Sequence, residues 1–186
     1  MTFSRNIIFF IFFFFVSISF FQFLFLFYFC IFFLLFITNR YMYWTDWGWD
    51  ERIERADMDG TNRRVITRYG LLYPNGLTLD VSRNWLYWID TSYGKLEVYE
   101  FPSNTRRTII PAYREPFLTS PLGLTLYGSN FFWTDTHLDG IYRADRNTGG
   151  NASKVLSTSS QPALIHAYDR NMNITPGIIQ PRLSYL

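Results

Sequence analysis

Two regimes of hydrophobicity divide the chain. From Ile7 to Ile37 the residues are apolar, interrupted only by Ser17, Ser19, Gln22, Tyr28 and Cys30. That run is longer than the roughly 20 residues a membrane-spanning helix needs. Beyond Arg40 the pattern breaks into short stretches of alternating apolar and polar residues bounded by Gly, Pro, Asn and Asp, which predicts half-buried strands joined by tight turns. The first set is predicted around Tyr43 to Asp46, Arg52 to Met58 and Arg63 to Thr67, with Asp59-Gly60 as a hairpin turn. After Pro74-Asn75-Gly76, the stretch Leu77 to Asp80 opens the next set, which continues at Trp85 to Asp90, Lys95 to Phe101 and Arg106 to Ile110 and turns at Pro102-Ser103-Asn104. A third set falls near Phe131 to Asp135, Gly140 to Ala144 and Lys154 to Ser157, with the turn at Thr148-Gly149-Gly150. Leu164 to Tyr168 would open a fourth.

The sets are copies of one another. Tyr43-Trp44-Thr45-Asp46 returns as Tyr87-Trp88-Ile89-Asp90 and as Phe132-Trp133-Thr134-Asp135, at steps of 44 and 45 residues. Ile53-Glu54-Arg55-Ala56-Asp57 returns as Ile141-Tyr142-Arg143-Ala144-Asp145, and Gly76-Leu77-Thr78-Leu79-Asp80 as Gly123-Leu124-Thr125-Leu126-Tyr127. A period of this length is that of a four-stranded propeller blade. The predicted fold is therefore all-β, with about three blades of four antiparallel strands near 41–80, 81–127 and 128–170, preceded by an apolar helix in the segment 1–39 and followed by an unstructured tail at 172–186. Alternation sets Tyr43 and Thr45 on one face of their strand and Trp44 and Asp46 on the other.

Three readings remain open for residues 1–39. Arg5 and the small residues Ser17-Ile18-Ser19 suit a signal peptide, although the apolar stretch continues past them. An uncleaved anchor helix is the second; as a helix the run would be about 46 Å long and would tilt in a hydrocarbon core of about 30 Å. Arg5 and Arg40 flank it without the asymmetry that fixes orientation. The third is a low-complexity tract of non-coding origin, since 16 of the 20 Phe lie in positions 1–36.

The net charge of +2 holds no basic block, so nucleic acid is not expected as a partner. Arginines and carboxylates interspersed through the repeats read as solvated strand faces. With Cys30 as the one cysteine, the repeats form no internal disulfide, and two His with one thiol supply no zinc site; no metal or cofactor is expected.

At Tyr43-Trp44-Thr45-Asp46-Trp47-Gly48, Arg52 to Gly60 and Pro74 to Asp80 the sequence resembles the YWTD, or class B, repeats of the low-density lipoprotein receptor family. The resemblance covers roughly residues 40–171, and Gln161 to Tyr168 looks like the segment that hands over to an epidermal-growth-factor-like module. It implies the C-terminal half of a six-bladed ring. It also implies structural roles for Tyr43, Trp44, Thr45, Asp46, Tyr87, Trp88, Asp90, Trp133, Thr134 and Asp135, the aspartates bonding to neighbouring backbone and tying blade to blade. That suits the chemistry of a carboxylate on a packed face, which needs donors. Ile89 and Phe132 each drop a hydroxyl that the repeat usually has.

Propellers bind through loops at one end of the ring. The resemblance places Trp47, Trp49, Asp50, Glu51, Tyr69, Tyr73, Tyr93 and His137 there, aromatics beside carboxylates of the kind found at protein-binding hot spots. Trp47 recurs with the repeat and can be explained by packing, which leaves Trp49 as the stronger candidate. His137 and His166 could make binding acid-sensitive. Asn151-Ala152-Ser153 and Asn173-Ile174-Thr175 fit the N-glycosylation pattern. The expected function is an extracellular protein-binding module of a receptor-related protein, endocytic or Wnt co-receptor-like. Its expected partners are lipoproteins, Wnt-type signals or their inhibitors, with the plasma membrane or extracellular space as its location and no catalysis. Two alternatives stand beside it: a calcium-dependent propeller hydrolase, and a truncated ring whose two open faces favour association.

Overall fold

The computed structural model describes residues 31–36, 41–113 and 118–167, the first of these as backbone only. All belong to the second of the two compact units into which the chain divides, which starts at Ile31. The described residues form twelve strands and no α-helix. They are β1 (Ile31–Phe36), β2 (Tyr41–Asp46), β3 (Arg52–Asp57), β4 (Arg64–Thr67), β5 (Pro74–Asp80), β6 (Trp85–Asp90), β7 (Lys95–Glu100), β8 (Thr105–Ile110), β9 (Pro121–Tyr127), β10 (Asn130–Asp135), β11 (Gly140–Asp145) and β12 (Ser153–Ser157). They make three antiparallel meanders ordered β1-β2-β3-β4, β5-β6-β7-β8 and β9-β10-β11-β12.

The first strand corrects the expectation of an apolar helix through Ile37. Ile31–Phe36 is a strand, aligned so that Phe33 lies opposite Trp44, as Leu77 lies opposite Trp88 and Leu124 opposite Trp133. Ile and Phe suit a pleated surface, and β2 would otherwise present an open ladder of backbone donors and acceptors. Periodicity could not reveal this, because a short apolar run reads alike as buried strand or helix. The rest of the proposed helix, and the tail from Tyr168, lie outside the described residues.

The second sheet is packed on both faces, which explains its continuous hydrophobicity. Leu77, Leu79, Leu86 and Trp88 join Tyr43 and Ile53 of the first sheet in one core. Tyr87, Ile89, Leu96 and Val98, on the alternate positions, join Leu124, Phe131 and Trp133 of the third in another. The signature therefore has a direction: its Trp faces the preceding sheet and its Tyr the following one. The innermost strands approach each other closely at Gly76, where a Cβ would lie 2.6 Å from Leu122 O and 2.9 Å from Leu124 N. This close approach is what requires glycine there.

Residues 161–167 have no strand pairing, contrary to the strand expected from Leu164. They nonetheless lie on β9 much as β9 lies on β5. A Cβ on Gly123 would meet Ala163 O at 2.8 Å and Ile165 N at 2.9 Å. Thr134 Oγ1 donates to Ala163 O (2.9 Å), and Ala167 N donates to Thr125 Oγ1 (3.2 Å).

Candidate ligand-binding face

The meander topology sends the β2–β3, β6–β7 and β10–β11 hairpins and the linkers between sheets to the same end of the three sheets. Two buried aspartates gather these loops. Asp90 accepts from Leu72 N (2.8 Å) and Tyr73 N (3.3 Å) of the incoming linker and from Tyr93 N (3.1 Å) of its own hairpin. Asp135 does the same for Thr119 N (2.9 Å), Ser120 N (3.0 Å), His137 N (3.1 Å) and Leu138 N (3.0 Å). Both are 0% exposed. A carboxylate so placed is tolerated because backbone N–H groups replace its water. Asp46 is less enclosed; it accepts from Gly48 N (3.2 Å) and from Arg52 Nη2 (3.3 Å).

Threonine hydroxyls add a second set of ties. Thr134 Oγ1 accepts from Gly123 N (2.8 Å) as well as donating to Ala163 O. Ile89 cannot repeat this in the second sheet. There Thr91 supplies the link two residues later, its Oγ1 accepting from Asn75 Nδ2 (2.7 Å) and donating to Pro121 O (2.5 Å).

On this scaffold the sequence-predicted residues divide into packed and open ones. Trp47 is half-buried and meets Tyr73 edge-on, with centroids 4.9 Å apart, so packing accounts for Trp47, while Tyr73 remains 43% exposed. Its indole N–H is buried with no acceptor among the described residues. Trp49 is 96% exposed and Tyr69 is 80% exposed, and neither has a ring contact among the described residues. Tyr93 is partly covered by Lys95 Nζ, 4.7 Å from its centroid. Asp50 is exposed but accepts from Arg52 Nη1 (2.7 Å), Glu51 is half-buried, and His137 is exposed. The loops form a sequence of neighbours, since a Cβ on Gly94 would lie 2.6 Å from Leu118 O of the next linker. His166, away from these loops on the segment over β9, has its imidazole pKa lowered by partial desolvation.

Two features went unread in the sequence. Tyr113, on the second linker, is 102% exposed and belongs with Tyr69 and Tyr73, its counterparts on the first. The other is a buried ionic motif that corrects the reading of the charges as solvated. Glu54 and Glu97 are only 3% and 5% exposed, each directly across the strand pair from the signature Trp. Glu54 accepts from Trp44 Nε1 (3.2 Å), from Arg52 Nε (3.2 Å) and from Arg63 Nη2 (2.6 Å). Glu97 binds Arg106 Nη2 (2.6 Å) and Lys95 Nζ (2.9 Å). The guanidiniums lie over the indoles, Arg63 at 5.2 Å from Trp44 and Arg106 at 5.1 Å from Trp88. The regular order Trp44, Glu54, Arg63 and Trp88, Glu97, Arg106 is a signal that was available in the sequence.

This motif also shapes the loop-bearing end. Arg106 donates to Thr67 Oγ1 (2.9 Å), Gly70 O (3.2 Å) and Tyr69 O, and Lys95 Nζ donates to Gly70 O (2.7 Å). The linker that displays Tyr69 is therefore held by cations that Glu97 fixes in place. Burial alone would raise the Glu54 carboxyl, but hydrogen bonds and charge from Arg63, with Arg52 adding to them, hold it below its ordinary value of 4.5.

Residues 40–81 match the family model of the low-density lipoprotein receptor repeat class B. Over 130 residues, 69% of this chain and 8% of the relative, the sequence is 38% identical to low-density lipoprotein receptor-related protein 5 of Mus musculus. It is 28% identical to the vitellogenin receptor Yl of Drosophila melanogaster over 127 residues, 68% of this chain and 6% of the relative. Among solved structures, a nidogen/laminin complex contains a chain that superposes with a TM-score of 0.56 at 28% identity, covering 68% of this chain and 46% of that one. The chain thus spans less than a tenth of the length of these two relatives.

Proposed function

From the premise that this chain carries class B (YWTD) repeats of the low-density lipoprotein receptor kind, we propose that it is a protein-binding module of a receptor. In this reading its three sheets are successive blades of a larger propeller ring, and its loop-bearing end faces the extracellular space. One observation carries the reading. The signature aromatics are spent on packing, whereas Trp49, Tyr69 and Tyr113 stand almost wholly exposed on loops at one end. Large apolar rings left in water are unfavourable unless a partner covers them, and such rings beside carboxylates are common binding anchors. Asp50 and Glu51 supply the polar rim of that surface.

The ligand is a secreted protein, either a lipoprotein of the vitellogenin type or a Wnt-type signal or its inhibitor, and binding involves no covalent chemistry. Biolayer interferometry on the full chain, with purified vitellogenin and purified Wnt-type ligands as probes, tests this. Trp49→Ala and Tyr69→Ala each lower affinity at least tenfold, the size of a hot-spot loss above about 1.4 kcal/mol. Unchanged affinity in both variants, or no binding to any probe, refutes the assignment. Calcium-dependent turnover of ester or lactone substrates would replace it with a hydrolase.

A further inference from the structure

The outermost strands of the three sheets are not protected alike. Each of β4, β8 and β12 has a neighbour on one side only among the described strands, which leaves a row of backbone donors and acceptors open. Such edges invite pairing with another chain unless charges or covering groups block it. The first edge carries Arg63, Arg64 and Arg68, and the second Arg106 and Arg107, of which Arg63, Arg106 and Arg107 are paired with Glu54, Glu97 and Glu100. The third reads Ser153-Lys154-Val155-Leu156-Ser157, with Val155 50% and Leu156 45% exposed. Its one cation is Lys154, whose Nζ donates to Leu138 O (3.0 Å).

Directly before this edge the β11–β12 turn presents Asn151, exposed and with φ of 55°. The turn is built firmly: Asp145 Oδ1 accepts from Asn147 N (3.0 Å) and Thr148 N (2.9 Å), and Asp145 N donates to Gly150 O (2.9 Å). Gly149 seats it on the second sheet, where a Cβ would lie 2.9 Å from Ile109 O. Other asparagines are engaged, Asn62 with Asp57 (2.6 Å), Asn75 with Thr91 (2.7 Å) and Asn147 with Arg83 (2.8 Å). Within the described residues, Asn151 alone is followed two positions later by Ser or Thr, here Ser153, the first residue of β12.

We infer that Asn151 is an N-glycosylation site and that its glycan shields the open edge of β12, doing for the third sheet what arginines do for the other two. The turn lies at the opposite end of β11 from the 136–139 hairpin. The inference rests on the extracellular placement proposed above.

The test is translation of the full chain with endoplasmic-reticulum microsomes, read by protease protection and by an endoglycosidase-H-sensitive shift. Asn173→Gln silences the second motif, and Ser153→Ala silences the first while keeping Asn151. The Asn173→Gln chain retains one glycan, and adding Ser153→Ala removes it. A protected Asn173→Gln chain without a glycan overturns this inference alone. A chain open to protease overturns the extracellular placement and this inference with it. Native deglycosylation of the Asn173→Gln chain raises its sedimentable fraction, and an unchanged fraction refutes the edge-shielding role.

Discussion

The second and third sheets fill the same backbone slot with different chemistry. Opposite Trp88 stands Glu97, locked to Arg106 and Lys95; opposite Trp133 stands Tyr142, whose ring stacks on the indole at 5.9 Å and 21° with Lys154 Nζ 5.6 Å from its centroid. Both arrangements cover one indole face and place a cation above the strand pair. The difference teaches that the slot demands a cover for the signature Trp and does not demand an acid. Where an acid is used, it brings cations that also hold the linker bearing Tyr69; the third sheet has no carboxylate at this position. A buried ion pair is costly to break and often replaceable as a unit.

Breaking one half of the ionic version should have the largest effect. Glu97→Ala removes the buried carboxylate that Arg106 and Lys95 share and should cost about 3–5 kcal/mol in urea unfolding of the full chain followed by Trp fluorescence. The double change Glu97→Tyr with Thr108→Lys, which sets a lysine opposite the tyrosine as Lys154 stands opposite Tyr142, should recover most of that loss. A double variant as unstable as the single one would show that the two slots are not equivalent.

Gly76→Ala should cost about 1–3 kcal/mol in the same assay, because the new methyl meets backbone of β9 that is fixed by its own sheet. Gly123→Ala should cost less, since its neighbours Ala163 and Ile165 belong to a segment without strand pairing that can shift. Acid should separate the sheets as well. The folded-state pKa of Glu54 is lowered, so its contribution is present above its ordinary value of 4.5 and is lost as pH falls through the folded value. Glu54→Gln should therefore flatten the acid limb of the stability profile below about pH 4.5, whereas Tyr142→Phe should leave it unchanged. Smallest of all, Trp49→Ala should change stability by less than about 0.5 kcal/mol, because the ring touches nothing that folding requires.

Much of this architecture was legible because repetition removes ambiguity. Trp85 to Asp90 is read as a strand, and β6 has the same bounds; the Asp-Gly and Asn-containing turns also fall where expected. The loop-bearing end was legible in part: Trp49 and Tyr69 are open, but Trp47 and Tyr73 meet edge-on, and Tyr113 had no motif to mark it. The strand at Ile31–Phe36 was misread because its apolar neighbours erased the boundary. The burial of Glu54 and Glu97 was misread because charge suggests water until partners are known.

By itself the sequence determined the period, the strand order within each unit and which signature residues share a face, since alternation along a strand is a local property of the backbone. Only the tertiary structure decided which charges are buried and which aromatics stay in water, because those outcomes depend on what the neighbouring sheet brings to each face. It also decided that the end of the apolar segment is the first strand of a sheet. Pairing with β2 settled that, and no pattern within six apolar residues could have done so.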